Sequence, residues 1–183
     1  MQKRLAFIIV ALTVLVSPVV RAEDATSLLL TDSQINLIRA NCLDVQSTLQ
    51  RLDANDALAR YNLSQQYNII SSKLMAPMNS RLALTKLNGV APLQTSVDFD
   101  TQVAQFKSSY QQYEETIQRA LKMNCKEQPV AFFDTIAVAR THRAEVRQTI
   151  NKINVLIGQY RTQIETVRQS FIASGAQTTE GGL

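Results

Sequence analysis

The chemistry open to this chain is limited by what it carries: one histidine, two cysteines and no tryptophan in 183 residues. The histidine, His142, lies in the string Arg140-Thr141-His142-Arg143, with Arg147 one helical turn further on. A histidine works as a general base when a nucleophile and an orienting carboxylate stand beside it. The sequence offers no signature for either, so His142 reads as a solvated or capping side chain. Arg140, Arg143 and Arg147 recur on one helical face, and guanidinium forks recognise phosphate or acidic head groups. The competing expectation is intramolecular pairing with the acid-rich stretch 23–60. Arg140, His142 and Arg147 are also the natural candidates for a partner surface. One His and two Cys are poor material for a zinc or iron site. No Gly-rich phosphate loop, paired catalytic carboxylates or CxxC motif occurs. The expectation is a protein without cofactor, metal or catalytic residues, not an enzyme.

Cys42 and Cys125 take their meaning from the N-terminus. Lys3 and Arg4 precede an apolar run over residues 5–16, then Ser17-Pro18 and Val20-Arg21-Ala22. A basic region, an apolar region and small residues at −3 and −1 read as a secretory signal over 1–22, cut before Glu23. Arg21 beside the cut leaves an uncleaved anchor as the alternative. The run is shorter than the ~20 residues that span a bilayer comfortably. Both versions place the body outside the cytoplasm: secreted, at the cell surface or in a periplasm. That context favours a Cys42–Cys125 disulfide, against two buried thiols acting as small hydrophobes. Removing residues 1–22 removes Lys3, Arg4 and Arg21 but no acid, so the formal charge of +4 falls to +1. Such a balance gives no broad footprint for nucleic acid, which is not expected as a partner. Membrane contact is expected only through an uncleaved segment.

The elements that must position these residues are helical. Five glycines and four prolines supply too little turn chemistry for a β-sandwich or barrel. Thr31-Asp32-Ser33-Gln34 fits a capping box. From there Ile35, Ile38, Cys42, Val45, Leu49, Leu52, Ala59 and Leu63 recur in steps of three and four, a heptad seam with Asp56 as its polar exception. The seam then shifts to Tyr67, Ile70, Leu74 and Met78. Pro77 should kink or break the helix, and Asn88-Gly89 should stop it. Residues 89–97, with Pro92 and a polar trio, read as a connection. Phe99, Val103, Phe106, Tyr110, Tyr113 and Ile117 mark a second helix over about 98–125. Pro129 opens a third over 129–174, whose seam from Phe132 to Phe171 is broken only by Arg143. The fold class expected is all-α: an elongated three-helix bundle or coiled coil with heptad seams. Its helices cover about 31–88, 98–125 and 129–174, after a lead-in at 23–30 and before a flexible tail at 175–183.

Counting rise fixes a register. The 46 residues from Cys42 to Asn88 make about 69 Å of helix. The second helix, about 40 Å, and an extended connection of up to roughly 30 Å return Cys125 to Cys42. The third helix then climbs parallel to the first. Asp56 lies 14 residues above Cys42, and Arg143 lies 14 above Pro129, so the two should share one layer. Tyr110 or Tyr113 should add a hydroxyl there. Polar seam residues of this kind fix register, and deleting one partner of a buried pair costs about 3–5 kcal/mol. The alternative is a polar site exposed by an open groove.

The string from Leu30 to Cys42, Lys73-Leu74-Met75-Ala76-Pro77 and Gln128-Pro129-Val130-Ala131-Phe132 resemble small exported helical proteins of ultra-small bacteria of the Saccharibacteria type. The resemblance covers residues 28 to about 172. It implies a helical extracytoplasmic protein of unassigned role and supplies no site residues. The function expected is a spacer or adaptor at the cell envelope or surface, acting through contacts with a protein partner or with itself. One alternative is a holdase, which needs exposed apolar stripes; Leu82, Leu84, Leu87, Val90 and Leu93 are the dense candidates. The other is a membrane-active protein that opens and inserts amphipathic faces.

Overall fold

The structure, a computed structural model, describes residues 30–180, with side chains through residue 173. The expected signal at 1–22, nearly all of the lead-in and residues 181–183 lie outside the described residues. Thr31 caps α1 (Asp32–Ala40): the Gln34 N–H donates to its hydroxyl at 3.3 Å, and the Thr31 N–H donates to the Gln34 side chain at 2.8 Å. Two N–H groups that the helix leaves orphaned are thereby satisfied. The helix is interrupted at Asn41, whose side-chain amide donates to the Leu37 carbonyl at 2.9 Å. Cys42 opens α2 (Cys42–Ile69).

Pro77 does not end the helix. α2 passes into a π-helical stretch, Ile70–Met75, in which the Ala76 N–H reaches back five residues to the Ser71 carbonyl; α3 (Ala76–Leu84) follows. A proline lacks an N–H and crowds the carbonyl four residues earlier. A widened turn just before it relieves both problems without a break. The extra residue also moves the seam. Met75 is 3% exposed where Leu74 was expected, and Leu74 is 59% exposed. Tyr67, Met75 and Leu82 therefore share the buried face.

The turn after α3 also corrects the sequence reading. Lys86, not Gly89, takes the left-handed conformation, with φ 56°, and the Leu87 N–H closes on the Leu82 carbonyl at 3.1 Å. Gly89 serves a close approach instead: a Cβ there would stand 3.1 Å from the Leu82 Cβ. α4 (Val90–Lys122) begins at once, so 89–97 is not a connection. Pro92 sits in its first turn, where no N–H is needed. Pro92, Thr95 and Phe99 extend the buried face upward. α5 (Pro129–Glu180) runs past the expected end at 174, into the stretch read as a tail.

The described residues are helical and form no strand. α4 packs along α5 more extensively than any other pair, while α2 and α3 pack on α4. Phe99, Phe106, Tyr113, Ile117 and Ile153 are buried at the centre. Tyr67 meets Phe99 and Phe106 edge-on at 6.1 and 5.6 Å, a favoured aromatic geometry. The Cys42–Cys125 disulfide ties the start of α2 to the turn between α4 and α5, with Cα atoms 5.6 Å apart across 83 residues of chain. Closing a loop of that size stabilises by about 4.5 kcal/mol in the chain-entropy account.

The shifted seam gives a direct expectation in denaturant unfolding. Met75→Ala should lower stability by about 2–5 kcal/mol, while Leu74→Ala should stay within about 0.5 kcal/mol. The reverse ranking would restore the uninterrupted heptad.

Candidate functional site

The polar break in two seams forms one contact. Arg143 on α5 donates from Nε to Asp56 Oδ2 at 2.9 Å and from Nη2 to Asp56 Oδ1 at 3.0 Å. From α4, the Tyr113 hydroxyl donates to the same Oδ2 at 2.7 Å. A guanidinium fork gripping both carboxylate oxygens is the strong geometry for such a pair. The hydrogen bond to Asp56 raises the Arg143 pKa above its ordinary value, against the effect of burial. Burial and the bond to Asp56 push Tyr113 upward as well, which keeps its donor proton in place. The pair is less buried than the sequence suggested, with side chains 35% and 19% exposed. Tyr110 does not join as a hydroxyl. Its ring meets Tyr113 edge-on at 5.7 Å and lies under the Arg60 guanidinium at 4.7 Å. Its oxygen is buried without a hydrogen-bond partner, and burial drives its pKa up to about 12.

This contact is needed because α2 and α5 both rest on α4 without packing closely on each other. An open groove runs between them. Below the Asp56–Arg143 bridge it holds about 520 Å³ over Leu49, Leu52, Ile117, Ile136 and Ala139, with Asp44 on one wall and Arg140 and Arg147 on the other. Above the bridge a second hollow of about 680 Å³ lies between α5 and the π-helical stretch with α3, lined by Ile70, Met78, Ile157 and Ile164, with Lys73, Arg81 and Arg161 as its cations and Glu165 as its acid. Tyr160 closes its floor, donating to Asn79 at 2.9 Å and to the Met75 carbonyl at 3.2 Å, while Asn79 donates to Ser96 at 2.8 Å. That polar knot ties three elements at the π-helical stretch. The sequence reading missed it, although Asn79 and Ser96 flank the turn at matching distances.

The expected pairing of the arginine group with acids of the first arm holds only for Arg143. Arg140 and Arg147 form no hydrogen bond or ion pair among the described residues. His142 is turned away from the groove lining and pairs with Glu145 at 3.3 Å on its own helix. Of the three residues expected to form a partner surface, Arg140 and Arg147 line the groove and His142 does not. Of the apolar residues weighed for client binding, Leu82 is buried and Leu87 half-buried, while Leu84, Val90 and Leu93 are exposed. Among the described residues no group of His, Cys, Asp and Glu could hold a metal ion, and no helix is long and apolar enough to cross a membrane. No protein-family model, curated protein or solved structure matches the chain significantly.

Partial exposure lowers the energy at stake in the bridge. Arg143→Leu should cost about 1–3 kcal/mol, because Tyr113 still donates to the abandoned carboxylate. Adding Asp56→Leu should recover most of that loss. Arg147→Leu, on the same face but unpaired, should stay within about 0.5 kcal/mol. Additive losses in the Asp56/Arg143 cycle, read by chemical denaturation, would separate the two residues.

Proposed function

We propose that this chain is an exported, non-enzymatic adaptor that works by docking a protein partner in the groove between α2 and α5. In this reading the first arm, α4 and α5 act as the three members of an elongated bundle whose heptad seams face inward. Residues 1–22 serve as the secretory signal, and the mature body acts at the cell envelope or surface. The observation that carries the reading is the groove itself: between two long helices its apolar lining leaves Val45 exposed and Leu52 and Ile136 half-buried, and Arg140 and Arg147 stand at its rim with no ion pair among the described residues. Helical partners bind such grooves through an apolar face, with charged rims setting specificity. The buried disulfide fits an oxidising compartment.

A second reading, the holdase, has its own observation. Leu84, Val90, Leu93 and Val97 are exposed near the α3–α4 turn. Three of them repeat along one face of α4, as a client-binding stripe would.

Photo-crosslinking in the native envelope separates the two. A photoreactive residue at Thr48, which lines the groove, should yield one protein adduct, and that protein once purified should bind the mature chain in a one-to-one complex. The same residue at exposed Gln111 should yield none. Many unrelated adducts from Val90 and none from Thr48 would favour the holdase, and lipid adducts alone would contradict both.

A further inference from the structure

We infer that the occupant of the groove is an acidic, heptad-patterned helix that completes the assembly as a fourth member. This deepens the adaptor reading and rests on it. A ladder on α5 carries it. Its buried seam runs through Ala139, Val146, Ile153 and Tyr160, and the residue after each is Arg140, Arg147, Asn154 and Arg161. Three of these four positions are arginines, each seven residues or a multiple of seven from the next. The rungs stand about 10.5 Å apart for each heptad of rise.

All three arginines line hollows along α5, Arg140 and Arg147 the one facing α2 and Arg161 the one facing the π-helical stretch and α3. None forms a hydrogen bond or ion pair among the described residues. Lys73 and Arg81 add two more cations on the facing wall of the upper hollow. The acids at the groove are fewer and mostly engaged. Asp56 is held by Arg143, and Glu165 is held by Arg168 at 2.6 Å with Arg161 close enough to add its field. Asp44 remains as the one carboxylate in the lower lining without an ion pair among the described residues.

Positions flanking a seam are where coiled coils choose their partners, by pairing with opposite charges on the facing helix. A helix presenting carboxylates once per heptad would meet Arg140, Arg147 and Arg161 in turn. Its apolar residues would cover Val45, Leu52 and Ile136 below the bridge, which the chain leaves exposed or half-buried. A bilayer surface fits less well, because the apolar floor is recessed between two helices. A single helix, about 10 Å across, can enter where a flat surface cannot.

The test uses the full mature chain with its disulfide intact and a fluorescent synthetic peptide of about four heptads, Leu at the seam and Glu at the flanks. Fluorescence anisotropy should show saturable binding that weakens as salt rises, and poly-glutamate should not compete. The triple variant R140E/R147E/R161E should lose about tenfold or more in affinity. Its lysine counterpart should keep most of the binding, and reversal of Lys107, Arg119 and Lys152, which lie outside the groove, should leave it unchanged. Equal binding by the charge-reversed groove variant would overturn the inference. So would tighter binding of a Leu/Gln heptad peptide, an outcome that leaves groove docking itself intact. Binding to phosphatidylglycerol vesicles through the same arginines, with no peptide binding, would overturn the inference and the adaptor reading together.

Discussion

A guanidinium from α5 and a carboxylate from α2 meet across the face of α4, and the distance they span sets how far apart the two outer helices stand. Elsewhere along their length α2 and α5 share little direct packing. The Arg143 fork and Asp56 instead reach across the gap, and the Tyr113 hydroxyl fixes the carboxylate from below. Desolvation offsets much of the Coulomb gain of any such pair. Its contribution is therefore geometric before it is energetic. It selects one register between two helices that share little direct packing, and it separates the lower groove from the upper hollow.

Two other ties hold the same arms. At the base the disulfide joins Cys42 to Cys125, next to the turn that launches α5. Near the far end Tyr160 bonds Asn79 and the Met75 carbonyl. Between them α4 supplies a continuous apolar face, from Pro92 through Phe99 and Phe106 to Ile117. The scaffold is therefore held at three levels while the space between α2 and α5 stays uncovered.

Much of this was legible because helical order is written locally. The Thr31 capping box, the heptad steps, Pro129 at a helix start and the matched offsets of Asp56 and Arg143 all follow from spacing along one chain. What was missed depends on relations between segments. A heptad continued from Tyr67 reaches Leu74 and then Arg81, yet Leu82 is the residue that must be buried; only a one-residue insertion reconciles them, and the π-helical stretch supplies it. The start of α4 was hidden because Pro92 and Thr95 do not count as apolar in a periodicity reading, although both are buried. The groove was invisible because the separation of α2 and α5 is not a property of either sequence segment. The arginine ladder at 140, 147 and 161 was in plain view, but nothing in its spacing said that Arg140 and Arg147 would find no ion pair among the described residues.

The bridge between α2 and α5 is tested most directly by nuclear magnetic resonance of the arginine side chains. Arg143, Arg140 and Arg147 share one helix face, so they form an internal comparison. If the bridge holds in solution, the Arg143 Nε–H exchanges with water far more slowly than those of Arg140 and Arg147, and Asp56→Ala removes that protection. An Arg143 Nε–H that exchanges as fast as its two neighbours, with or without Asp56, would contradict it.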